Sequence, residues 1–132
     1  LKLRDSIVPQ SITHVNTTIP RVIHFIIRER CVSPEIFHHF NVWKTLSFDD
    51  SNSKNVGKGD RRHSIIFHDQ ADVDEYLSKD REDLPFISNA AKCAVESIAK
   101  TDLVKFLILW DFGGIVVDVD TIPNPNFFSY GD

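Results

Sequence analysis

Asp118 and Asp120 stand one residue apart at the end of an apolar segment, GGIVVDVDT, residues 113–121. On a strand, side chains alternate faces, so the two carboxylates point the same way and start roughly 6 to 7 Å apart. At an effective dielectric near 20 they repel by roughly 2 to 3 kcal/mol, a repulsion that a bound cation removes. Hard carboxylate oxygens suit Mn2+ or Mg2+, ions that complete their shells with phosphate oxygens and water. Alone, Asp-x-Asp is a short pattern that equally well ends a strand and solvates the turn before Ile122-Pro123. The upstream residues sharpen it. In AKTDLVKFLILWDFGGIVVDVDT, Asp102 falls at an expected helix start, Lys105 follows three positions on, and Gly113-Gly114 separates that helix from the strand that carries the aspartates.

These groups need a scaffold, and the hydrophobic pattern supplies one. Residues 21–27, RVIHFII, read as a buried strand rich in β-branched side chains. Ser33-Pro34 reads as an N-cap and first helical residue, opening a helix to about Leu46. Residues 49–62 are polar, with Gly57 and Gly59, and read as a loop. Residues 64–68 form a second strand, followed by an acidic helix over 72–79. From Ser88 the spacing of Ala91, Val95, Ile98 and Ala99 predicts a helical face. Thr101 is positioned to cap a further helix over 102–112, which Gly113 ends with a left-handed cap. Residues 115–119 form the third strand, with Val117 and Val119 turned into the core. Strands separated by helices predict a parallel α/β sheet covered on both faces. In open sheets of this kind ligands bind beyond the carboxyl ends of the strands, which is where Asp118 and Asp120 lie.

The composition excludes several classes. With 132 residues, 42% apolar and 26% charged, the chain is the size of one domain. Residues 1–18 read as an extended lead-in and 19–132 as the domain. A formal charge of -4 argues against nucleic acid as a partner. The longest apolar run, from Leu103, is broken by Lys105, Asp111 and two glycines and is too polar to span a membrane. Cys31 and Cys93 are compatible with one bridge or two thiols, with thiols the default. The absence of methionine leads to the expectation that the chain is a piece of a longer protein, from which a membrane anchor has been lost.

The segment from Ala99 to Thr121, with IPRVIHF at residues 19–25, resembles the DXD-containing sugar transferases related to the initiating α-1,6-mannosyltransferase of yeast outer chains (glycosyltransferase family 32). That family also shares features with the large clostridial glucosylating toxins. The resemblance implies the donor-binding half of a GT-A fold, a Rossmann-like parallel sheet with flanking helices, truncated at the C-terminus. It implies a retaining, Mn2+-dependent (or Mg2+-dependent) hexosyltransferase with a nucleotide-sugar donor, GDP-mannose first and UDP-hexoses next, and a glycan or lipid acceptor. It further implies a Golgi lumenal setting, as a type II membrane protein when complete, and a fragment that is inactive alone. By resemblance, Asp102, Asp118 and Asp120 carry the chemistry. Asp118 and Asp120 hold the metal. Ile23, His24, Phe25, Asp102, Lys105, Gly114 and Asp118 bind the donor. The family pattern has Arg at the position of Lys105, an aromatic residue at that of Val116 and Trp at that of Ile27, so the alternative is a non-catalytic relative acting as a binding or scaffold protein. A haloacid-dehalogenase-type phosphatase, whose nucleophile motif is also Asp-x-Asp, fits less well because its later lysine and acidic pair would need far more chain after Asp120.

Other residues take structural readings. His38-His39 reads as a partly exposed pair rather than a zinc site, and His24 by itself as a satisfied core histidine. Residues 57–60, GKGD, lack P-loop spacing. Asn16-Thr17-Thr18 is an N-glycosylation sequon. Trp110 and the Phe-rich segments read as core, Asp111 as helix-terminal and solvated, and residues 69–75 as an acidic, solvated helix start.

Overall fold

The computed structural model describes residues 2, 3, 5, 19–48, 63–94 and 96–127. Residues 49–62 with GKGD, the sequon at Asn16 and most of the lead-in lie outside them. Among the described residues, three strands form one parallel sheet in the order β2-β1-β3: β1 Val22–Ile26, β2 Ser64–His68 and β3 Ile115–Val117. Central β1 aligns Val22 with Ser64 and Ile26 with His68 on one side, and Ile23 with Ile115 and Phe25 with Val117 on the other.

The strand alternation read from sequence divides the core in two. Ile23, Phe25 and Ile27 face one layer with Ile65, Phe67 and Val117, covered by Phe40 and Trp43 of α1, Pro34–Phe48. Its aromatic rings interlock, with centroids of Phe25 and Phe40 4.8 Å apart and of Phe40 and Phe67 4.9 Å apart. On the opposite face Ile26 and Val116 pack against Val73 of α2, Gln70–Ser78, and against Val104 and Ile108 of α4, Ser97–Phe112. In chain order α3, Ile87–Cys93, separates these two helices. The expected α/β sheet with helices on both faces is therefore present.

Caps explain where the helices start. Ser33 Oγ accepts the Ile36 N–H at 3.3 Å, with Pro34 as first helical residue, as the sequence predicts. The acidic helix begins two residues earlier than expected because Asp69 accepts from the N–H groups of Ala71 and Asp72, while Asp72 accepts from that of Asp69. The face expected from Ser88 onward is split. A break around Ala94 ends α3, and Ile98, at 73% exposure, belongs to α4. Thr101 is not the cap of α4. Its hydroxyl donates to the Ser97 carbonyl from inside the helix, so Asp102 lies in the second turn rather than at the start.

Two further expectations need correction. Trp110, Phe106, Phe112 and Phe86 are exposed, at 64%, 71%, 51% and 79%, while Phe25, Phe40 and Phe67 are core. Asp111 is not simply solvated. Arg81 grips it through both terminal nitrogens and also holds Asp83, which accepts the Trp110 N–H at 2.8 Å. At the outer edge of the sheet, β2 is closed by side chains. The Phe67 N–H donates to Asp5 at 2.9 Å, and its carbonyl accepts from Arg30 at 2.8 Å, which occupies backbone groups that would otherwise offer a pairing edge.

Candidate functional site

Gly113 and Gly114 turn the chain from α4 into β3 with φ of 64° and 84°. At Gly114 a Cβ would lie 2.4 Å from the Val22 carbonyl oxygen, so only glycine lets this turn sit against the central strand. The close approach fixes where β3 starts beside β1, and hence where Asp118 emerges.

The hydrogen-bonded strand stops at Val117, one residue before the first aspartate. Residues 118–121 form a turn in which the Thr121 N–H donates to the Asp118 carbonyl at 3.0 Å. The expectation that both aspartates sit within a strand on one face is thus corrected, because the ladder gives way to a turn. The inward valines persist: Val117 is buried and Val119 is partly buried against the α1 layer. Both aspartates are exposed.

Helix α1 holds this turn on either side of Asp120. Trp43 Nε1 donates to the Thr121 carbonyl at 2.8 Å, and His39 Nδ1 lies 3.4 Å from the Val119 carbonyl oxygen, a pairing that needs the Nδ1–H tautomer. The sequence reading gives Trp43 no role of its own and His39 only a place in a partly exposed pair, which its half-buried position matches. The available signal was the indole N–H on the buried face of a helix, a donor that requires a partner.

On the other side, α4 supplies a cation. Lys105 Nζ lies 2.7 Å from Asp118 Oδ1 and 3.0 Å from Asp102 Oδ1, so its ammonium joins two of the other residues expected at the site. The hydrogen bond to Asp118, and after it that to Asp102, raises the Lys105 pKa above its ordinary value against partial burial. Asp120 stands apart from this cluster and has no ion-pair partner among the described residues.

The β1 residues expected at the donor are fully buried: Ile23, His24 and Phe25 expose none of their surface. His24 Nδ1 pairs with His68 Nε2 at 3.0 Å beneath Phe112, while its Nε2 is buried with no hydrogen-bond partner. Burial, and then the neighbouring His68, push the His24 pKa down to about 4. These side chains support the strand, leaving any contact with a ligand to backbone at its end. Ile27, where the family pattern has Trp, is likewise in the core at 5% exposure.

A cleft of about 290 Å3 opens where β1 ends, lined by Ile26, Ile27, Arg28, Cys31, Ser33 and Val119 among others. It therefore lies between the carboxyl end of β1, the first turn of α1 and the middle residue of the D-x-D turn. With strand order 2-1-3, the boundary between β1 and β3 is where the chain reverses its direction of winding, the place where open α/β sheets bind ligands.

Among the described residues no group of three or more His, Cys, Asp or Glu side chains is arranged to hold a metal ion. The chain offers two exposed carboxylates, Asp118 and Asp120, both hard oxygen donors. Such a pair fits Mg2+ or Mn2+ held jointly with phosphate oxygens and water.

A family model described as the glycosyltransferase sugar-binding region containing a DXD motif matches residues 28–132. The chain belongs to this family. The match covers α1 to β3 and the D-x-D turn, and begins just after β1. It agrees with the partial GT-A, Rossmann-like architecture and replaces the phosphatase alternative. A nucleotide-sugar donor, an acceptor and a divalent metal are the family's usual partners. No curated protein and no solved structure matches the chain. No helix among the described residues of this glycosyltransferase region is long and apolar enough to cross a membrane.

Proposed function

We propose that this chain binds the nucleotide-sugar donor of a retaining, Mn2+-dependent hexosyltransferase, with GDP-mannose the first donor to test and UDP-hexoses next. The observation that carries the proposal is the cleft at the carboxyl end of β1, walled by Val119 between the two aspartates. Its apolar wall of Ile26, Ile27 and Val119 suits a planar base. Arg28, which lines the cleft beside Glu29, supplies a positive charge for a diphosphate.

The division of labour follows from the charges. Breaking the bond from anomeric carbon to diphosphate builds positive charge on the sugar and negative charge on the leaving group. A divalent ion at Asp118 and Asp120 would supply Lewis-acid stabilisation of the diphosphate. Asp102 and Lys105, neighbours on α4, would orient sugar hydroxyls by accepting and donating hydrogen bonds. The turn pinned by Trp43 and His39 holds Asp120 in place before the donor arrives, so little ordering is needed on binding. By the resemblance to the sugar transferases of yeast outer chains, the acceptor is a glycan, lipid or protein and the setting is the Golgi lumen.

One observation favours a second reading, a relative that binds the donor without turning it over: Asp118 is already neutralised by Lys105. Calorimetry with GDP-mannose, UDP-galactose and UDP-glucose, with and without Mn2+, tests donor binding. Mn2+-dependent binding of one sugar nucleotide, weakened roughly ten- to hundredfold in Asp120→Ala, is expected. Binding that ignores both Mn2+ and that substitution would sink the donor-site reading. Slow release of free hexose from the bound donor separates the enzyme from the binding protein.

A further inference from the structure

We infer that Lys105 is a resident counter-ion with which a divalent cation must compete for Asp118, so that this one side chain sets the metal affinity of the D-x-D turn; the inference rests on the donor-site reading above. The two aspartates are electrostatically unequal. Asp118 has a full positive charge 2.7 Å from one carboxylate oxygen, while Asp120 has no ion-pair partner among the described residues. The Lys105 side chain is the sheltered member of its cluster at 27% exposure, against 62% for Asp118 and 56% for Asp102. The cation therefore sits behind the carboxylates, on the side of α4, and the acids face solvent.

Three consequences follow. An ion approaching Asp118 meets a carboxylate whose charge is already balanced and is repelled by the ammonium beside it. The ammonium is anchored a second time, to Asp102 at 3.0 Å, and does not simply swing away when metal arrives. Lysine is also a point charge without the planar fork of arginine, so it balances Asp118 without locking both oxygens and leaves the second one for a metal or its waters. Lys105 thereby keeps the turn compact without metal and limits how tightly the chain alone holds an ion. Tight binding then waits for the phosphate oxygens of a donor. Lys105 acts here as a positioning residue: it holds Asp118, and its effect on metal passes through that carboxylate.

The test titrates Mn2+ alone into the 132-residue chain, with free Mn2+ followed by electron paramagnetic resonance and the bound ion located by broadening of the amide NMR signals of residues 118–122. Lys105→Met and Lys105→Gln should each tighten Mn2+ by roughly fivefold, the upper range of one partly exposed ion pair. Lys105→Arg, which keeps the charge, should stay within about twofold of the native chain. Unchanged or weaker Mn2+ binding in the Met and Gln variants, with broadening at the same amides, overturns the inference and leaves the donor-site reading standing. Absence of Mn2+ binding in the native chain and all three variants overturns the inference, while the donor-site reading falls only if the calorimetry with sugar nucleotides shows no Mn2+-dependent binding. Binding that appears only when Lys105 is neutralised supports the inference in its strongest form.

Discussion

The indole Nε1 of Trp43 donates to the carbonyl oxygen of Thr121 at 2.8 Å, tying the middle of α1 to the residue directly after Asp120. The same ring packs against Phe25 of the central strand, with centroids 5.9 Å apart. A single side chain thus joins the core of the sheet to the turn that carries the second aspartate. Trp43→Phe keeps the aromatic packing and removes the donor. Loss of that hydrogen bond should lower stability by about 0.5 to 1.5 kcal/mol, read from urea unfolding, and should speed hydrogen exchange at Asp120 and Thr121. If exchange there is unaltered, the Trp43 indole does not hold the turn.

Gly114→Ala should be far more damaging than its size suggests. The new methyl would meet the Val22 carbonyl at 2.4 Å, and φ of 84° is strained for any residue with a Cβ. A loss of at least about 2 kcal/mol is expected, or failure to accumulate as folded protein, measured by denaturant midpoint and yield.

Stability should fall as the pH is lowered from about 6.5 toward 4. Burial and His68 hold His24 down at about 4, burial and Arg21 do the same for His63, and burial lowers His68 as well, against the pull of Asp72 and Asp5. In the unfolded chain these rings take up protons near pH 6.5. Below that value the unfolded state binds more protons than the folded one, so protonation favours unfolding, by up to about 1.4 kcal/mol per pH unit for each ring. Urea midpoints measured across this range should show the slope, and His24→Leu should remove one ring's share of it. A slope unaffected by that substitution would place the dependence elsewhere.

Cys31 and Cys93 are both free and exposed, but only Cys31 lines the cleft beside β1. Alkylation should reach both thiols in the free protein. A bound nucleotide sugar should slow modification of Cys31 roughly tenfold while leaving Cys93 unchanged, which mass spectrometry of the two peptides resolves. Equal protection of both, or of neither, would move the donor out of this cleft.

Much of the scaffold was legible in the chain because it is decided by near neighbours. The β-branched run at β1, Ser33-Pro34 ahead of α1 and the glycines after α4 each act within a few residues, and each falls where the sequence places it. The misreadings arose where two local solutions competed. Thr101 could cap a helix or bond back to Ser97, and Glu96 precedes a helix that simply starts earlier. Trp110 and Phe106 are apolar by type, yet they lie on the outer side of α4, which periodicity alone did not assign.

The sequence by itself determined the order of strands and helices, the Gly-Gly turn and the appearance of two carboxylates at a strand's carboxyl end. Only the tertiary structure decided that β3 stops before Asp118, that Lys105 joins Asp102 to Asp118, and that Trp43 holds Thr121 across 78 residues of chain. The physical reason lies in range. Periodicity and caps are set by groups a few residues apart, whereas an ion pair between a helix and a strand end, or an indole on a distant carbonyl, forms only once both faces of the sheet have packed.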